Sequence, residues 1–178
     1  MNAAHRTLRA GTAAAHARID ALFSRFDLQD RASYAAFLGA HAEALLPIET
    51  RLAEVGAERV FPGWDEGRRG ELLRADCAEA GIDLAETPAP LASTGAAIAG
   101  TLYVLEGSRL GAKVLARRAN PGFPRRFLDA GESPGAWQSL LSRIDAMLED
   151  NRAMDDALSA AHDCFGAFER SGERWLAA

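Results

Sequence analysis

Apolar residues recur at every third or fourth position along most of the chain, and no stretch alternates apolar and polar residues over the length of a strand. A strand needs a period of two and a helix a period near 3.6, so the pattern directs the chain into helices packed face to face. The expected class is all-α. A first helix over residues 6–26 turns Leu8, Ala15, Ile19, Leu22, Phe23 and Phe26 inward and ends in a turn at "DLQD". Asp30 or Ser33 caps a second helix, which Pro47 should kink and Gly56 should end. A third is expected over residues 65–80 with Gly81 as its stop, followed by the proline-marked loop "IDLAETPAPLAST". Ser93 or Thr94 caps a fourth over residues 95–118, which "NPGFPRR" terminates. Ser133 as cap with Pro134 at the first helical position starts a fifth, and "DALSAAHDCFGAFERSGERWL" forms the last.

With 178 residues, 48% of them hydrophobic, the chain reads as a single domain, residues 1–178, long enough to bury a core and hold a pocket. Acidic residues outnumber basic ones 25 to 20 and no block of like charge stands out, so neither nucleic acid nor an anionic membrane is an expected partner. The N-terminus lacks the apolar stretch of a signal peptide, and no apolar run reaches the roughly 18 residues of a membrane span, which makes the cytoplasm the expected compartment. Cys77 and Cys164 stand alone, without zinc or redox spacing.

Common site signatures are missing from the sequence. His5, His16, His41 and His162 form no HExxH, and the residue three before each is Asn2, Ala13, Leu38 or Ser159, which removes the Glu-x-x-His pairs of di-iron bundles. There is no GxGxxG, P-loop or GxSxG elbow. What remains is a histidine among alanines, "GTAAAHARID", and a helix, "LYVLEGSRLGAKVL", with Gly107 and Gly111 in its interior. Each such glycine costs an exposed helix about 1 kcal/mol relative to alanine. On physics alone the pair reads as close helix–helix packing, and His16 as a surface or satisfied core histidine. The functional alternative is a flat ligand lying on the small-residue shelf around His16, with the glycine backbone approaching it where a Cβ would collide. On the face of His16 lie Thr12 one turn before it, Arg9 two turns before it, and Asp20 one turn after it. An acid at that spacing can hold one imidazole nitrogen while the other ligates a metal. Arg9, about 10 Å along the axis, has the reach to pair with an anionic group of such a ligand.

"LRAGTAAAHARIDALFSRF", "FLGAHAEALLPIE" and "LYVLEGSRLGAKVL" resemble the proximal, second and distal helices of bacterial heme oxygenases, particularly those found beside bacteriophytochromes, in the family's order and over most of the chain. The resemblance implies an all-α domain with heme, both cofactor and substrate, between the proximal helix and a kinked distal helix. It implies oxidative cleavage of heme to biliverdin, CO and ferrous iron by O2, with electrons from an external donor such as a ferredoxin or a reductase, and biliverdin supplied to a bacteriophytochrome. It maps Leu8, Arg9, Thr12 and His16 onto the proximal pattern, making His16 the axial iron ligand, and maps Asp20 onto the acid behind it. Gly107 and Gly111 match the distal glycines. Ser108 stands where mammalian-type members carry an aspartate; it can position water but cannot act as an acid, which keeps a carrier or sensor without turnover as the alternative. "SLLSRIDAML" resembles the segment supplying a propionate-binding arginine, here Arg143. Tyr103 and Phe168 are expected at the pocket or in the core, and Lys113, Arg117 and Arg118 as a solvated, dipole-compensating helix end.

Overall fold

In the computed structural model, residues 3–85, 88–89, 92–131 and 135–178 are described, and every regular element among them is helical. The helices are α1 (Ala3–Phe23), α2 (Arg31–Glu54), α3 (Ala57–Val60), α4 (Gly70–Glu79), α5 (Gly95–Arg118), α6 (Arg126–Asp129), α7 (Ala136–Met147) and α8 (Asn151–Ala177), with a 3₁₀ turn at Asp65–Gly67. Local chemistry explains most of the boundaries. Asp30 accepts the Ser33 N–H at 2.8 Å, Thr94 accepts that of Ala97 at 3.1 Å and Asp150 that of Ala153 at 2.8 Å, each satisfying a donor that a helix start would orphan. Asp30 and Thr94 are therefore the caps, while Ser33 turns its hydroxyl to the Asp27 N–H instead. Gly56 and Gly81 take positive φ, 81° and 74°, at the ends of α2 and α4.

The α8 helix is the central post, packing most extensively on α5, α1 and α2. It presents Ala157, Ala160, Ala161, Cys164, Phe165 and Phe168 as a mostly small-residue buried stripe. Against it sit Leu8 and Ala15 of α1, Phe37, Leu38 and Leu45 of α2, and Ile98, Leu102 and Leu105 of α5, all in one contiguous core. The tightest crossing is α5 on α8: a Cβ at Gly100 would overlap the Ala157 carbonyl, whose carbon lies 2.7 Å from that position.

Three expectations need correction. The first helix occupies Ala3–Phe23, and Phe26 enters the core from the turn that follows. The expected helix over 65–80 is broken at Arg68 and Arg69, because the Glu49 carboxylate of α2 accepts the N–H groups of Arg69 and Gly70 at 3.0 and 2.9 Å and starts α4 there. The single turns α3 and α6 were not anticipated; α2 runs through Pro47 as the one helix expected. The cap expected at Ser133 and Pro134 lies outside the described residues; α7 follows Gly135, at φ 80°.

Candidate functional site

The outward face of α1 carries His16. Its Nδ1 lies 3.0 Å from Asp20 Oδ2, and the two side chains are 64% and 68% exposed. In the neutral tautomer Nδ1–H donates to that carboxylate, which leaves the Nε2 lone pair open. Phe165 of α8 meets the imidazole edge to face at 6.1 Å, so the ring has a wall as well as an anchor. Ala13 and Ala17 beside it are exposed, and the surface around the ring is low.

Thr12 is not on this shelf. It is buried, its hydroxyl donates to the Leu8 carbonyl at 2.7 Å, and it also bonds Tyr103 of α5. Burial raises the Tyr103 pKa, with Thr12 and then Arg9 opposing that shift. The Tyr103 ring packs with His5 and Trp137, at 6.0 and 5.5 Å between centroids. Burial, followed by the Arg9 charge, lowers the His5 pKa. Apart from these ties α1 and α5 make little direct contact, since each leans on α8. Arg9 of α1 and Arg143 of α7 are exposed and carry no ion pair among the described residues. Phe168 is core: it packs beside the half-buried His41.

On α5, Gly111 is exposed, and a Cβ there would meet nothing within 4 Å. Gly107 is covered by Trp137, whose ring would lie 3.4 Å from such a Cβ. Neither glycine lets another helix approach; that role belongs to Gly100. One turn apart from them, Leu110 and Val114 are 50% and 57% exposed. Leu110, Gly111 and Val114 thus form an exposed apolar strip, continued by the Trp137-covered Gly107, on a helix whose first half is buried.

Beneath this strip lies a charged cluster with no signature along the chain. Arg69, 5% exposed, donates from Nη2 to Ser108 Oγ at 2.9 Å and to the Leu105 carbonyl at 3.3 Å, while its guanidinium lies over Phe127, 4.9 Å from the ring centroid. Its Nε is buried without a partner. Burial, with Arg109 adding repulsion, lowers its pKa to about 10, so it stays charged at neutral pH. Ser108 in turn donates to Leu105 at 2.6 Å. Arg109 Nε sits 2.6 Å from Glu106 Oε2, an ion pair whose N–H is not aligned as a hydrogen bond, and its Nη2 donates to the Gly67 carbonyl. Burial raises the Glu106 pKa against the pull of both arginines. "RRG" and "LPIE" looked like surface charge; only their meeting in three dimensions marks them, as it does Trp137 and Phe165.

No cluster of three or more potential metal ligands occurs among the described residues. Burial pushes the buried Cys77 and Cys164 thiols up to about 11 and about 12, which keeps them protonated. No helix is long and apolar enough to cross a membrane among the described residues.

No protein-family model matches the chain. It is similar to the heme oxygenase of Xanthomonas campestris pv. campestris (strain 8004), 33% identical over 145 residues that span 78% of this chain and 88% of that protein. It is also similar to the heme oxygenase PigA of Pseudomonas aeruginosa, 28% identical over 174 residues, 91% of this chain and 87% of that one. Its fold matches the NO- and CO-bound heme oxygenase from Neisseria meningitidis with a TM-score of 0.83 at 21% identity, covering 99% of this chain and 93% of the other.

Proposed function

The chain belongs to the heme oxygenase family, enzymes that degrade heme with electrons from outside, and from that premise we propose that His16 is the axial iron ligand and the Gly107–Gly111 strip the opposite wall of the heme slot. One observation carries the assignment: Asp20 holds Nδ1 of an exposed imidazole, so Nε2 is the nitrogen offered to a metal, over a shelf of exposed alanines. The donor set suits the group. A neutral imidazole is a normal heme ligand, small residues leave room for a flat macrocycle, and the bare apolar strip of α5 gains by being covered.

Bound heme supplies the iron that activates O2 and is itself the ring that is opened, to biliverdin, CO and ferrous iron. The chain's own task is orientation. Asp20 and Phe165 hold His16; Arg9 and Arg143, exposed and without an ion pair among the described residues, would hold the propionates; Tyr103 and Thr12 tie the two walls together at one end. The Ser108 proton is committed to the Leu105 carbonyl and one lone pair to Arg69, so its other lone pair accepts from water. Ser108 thus positions water beside Gly107 and Gly111 without serving as an acid. The reading extends to residues 1–178 acting as one heme-binding domain in the cytoplasm, to a ferredoxin or reductase as donor, and to a bacteriophytochrome as recipient of the biliverdin; the sequence resemblance supports these.

Titration with hemin should give a histidine-type Soret band at about one heme per chain, and reductant with air should convert it to the biliverdin spectrum. His16→Ala should lose that ligation. A spectrum indifferent to the substitution refutes the ligand assignment, and stable binding without biliverdin marks a carrier.

A further inference from the structure

One face of α2 borders a cavity that shares no residue with the heme slot. Gly39, Ala42, Leu46 and Pro47 recur at three and four, which puts them on one side of the helix, and together they line a space of about 550 Å³. Leu84 and Ala89, in the segment after α4, supply apolar lining from outside the helix. Trp175 of α8 lies at the Gly39 end, so close that a Cβ on that glycine would come within 2.5 Å of its ring. None of the lining residues belongs to α1, α5 or α7. The lining face continues to Glu54, roughly 22 Å from Gly39 at about 1.5 Å per residue. Drawn out over that length, the volume takes an alkyl or aryl chain but not a helix, which is about 10 Å across. It also falls within the roughly 300–1,000 Å³ of small-molecule sites.

The polar groups of this cavity are unevenly matched. Arg51 and Arg74, the cations of the lining, pair with Glu54 and Glu71 at 3.0 and 3.7 Å. Glu43 accepts from Arg174 and, at 2.8 Å, from Trp175 Nε1, so its carboxylate fixes the indole in place. Two acceptors are left over. Asp83 lines the cavity, is exposed, and has no ion pair or hydrogen bond among the described residues. The Glu43 carbonyl lacks its helical donor, because Pro47, four residues on, has no N–H. The half-buried Trp175 ring adds a π face, which attracts cations. An anion would be repelled by Asp83, whereas a cation bearing N–H donors suits the carboxylate, the carbonyl and the ring alike.

We propose that this cavity binds a small primary amine with a slender apolar body, an alkyl- or arylalkylammonium ion. Its charge is met by Asp83, and its body lies along Ala42, Leu46 and Leu84. The net charge of −5 favours the approach of such a cation. A lysine side chain of another protein carries the same head but would fill only one end of the groove. The proposal stands apart from the heme oxygenase reading, since the two sites have no residue in common.

The test titrates the full-length, ¹⁵N-labelled protein at neutral pH with 4-phenylbutylamine and follows the indole N–H signals of its 3 tryptophans by NMR. Trp175→Phe identifies the Trp175 signal. That signal should shift saturably with the amine. The neutral 4-phenylbutanol and the anionic 4-phenylbutanoate should bind at least about threefold more weakly, and n-butylamine, which mimics a lysine side chain, at least about tenfold more weakly. Asp83→Asn should lower the affinity for 4-phenylbutylamine at least about threefold and leave Tm at the wild-type value, because the side chain is exposed and has no partner to lose. No shift of the Trp175 signal at millimolar amine overturns the proposal, as does a shift confined to Trp64 or to Trp137 beside the heme slot. Equal binding of the alcohol or the carboxylate, or full affinity in Asp83→Asn, refutes the cation site; equal binding of n-butylamine refutes the apolar body.

Discussion

Gly111→Ala separates packing from function on α5. Nothing lies within 4 Å of where its Cβ would sit, so the substitution creates no clash in the ligand-free protein and removes an exposed glycine from a helix interior. The gain should be about 1 kcal/mol, or about 2–4 °C in Tm for a chain of this size. If that empty space is where the macrocycle approaches the helix, the same methyl should weaken hemin binding by about tenfold, the equivalent of about 1.4 kcal/mol. The variant would then be more stable empty and worse at its task, a combination that structural glycines do not produce. Gly100→Ala gives the contrast. Its Cβ would overlap the Ala157 carbonyl, which is backbone and yields only if α5 and α8 separate. The cost should be about 3 kcal/mol or more, about 6 °C or more in Tm, whether or not hemin is present. Thermal unfolding of the hemin-free proteins and hemin titrations read both effects. A Gly111→Ala protein that melts lower than wild type refutes the open-space reading, and one with unchanged hemin affinity and turnover refutes the functional one.

Other consequences follow from buried polar groups. Glu49→Gln should cost about 1–3 kcal/mol in denaturant unfolding, because one amide oxygen then has to serve the two N–H groups that start α4. Arg69→Met should leave stability and hemin affinity near wild type while lowering biliverdin formation at least about tenfold, read by the single-turnover rate. His41 makes the fold acid-sensitive: burial, with a smaller contribution from Arg69 and against the Phe37 carbonyl, pulls its pKa from 6.5 to about 4. The unfolded chain takes up this proton near pH 6.5 and the folded one only near pH 4, so stability is full above 6.5 and falls as pH drops through that window. The loss should be about 1.4 kcal/mol per pH unit, about 3 kcal/mol in all. Denaturant midpoints of wild type and His41→Gln between pH 7 and 4.5 should converge on acidification; parallel curves would exclude His41 as the cause.

The residues that local reading placed correctly are those whose cause is local. The span of α5 follows from a threonine cap and from the prolines of "NPGFPRR", both visible within a few residues, and the span observed is the one expected. The His16–Asp20 pair needs only the period of a helix. Local reading failed where the cause lies far along the chain. The break before α4 comes from a carboxylate 20 residues away, and the wall behind His16 from Phe165 on the last helix. Glycines show the limit most clearly: Gly111 stood out in the sequence with packing and ligand approach both open, Gly100 did not stand out at all, and only what stands opposite each tells packing from open space.

The cluster under Ser108 is harder to justify by stability than by position. Buried charges are seldom more stabilising than apolar residues of the same size, and an unpaired one is costly. Arg109 cannot be removed alone, since Glu106 would be left buried without its nearest partner. Arg69 differs. Its loss strands no acid, because Glu49 is already engaged by the backbone N–H groups of residues 69 and 70 and Glu106 by Arg109. A methionine could fill its volume against Phe127 and would even remove the unpartnered Nε. What methionine cannot do is donate to the Ser108 hydroxyl and the Leu105 carbonyl at the point where α5 turns its glycines outward. The guanidinium is therefore explained by the orientation of Ser108, and the stability and turnover of Arg69→Met should move independently.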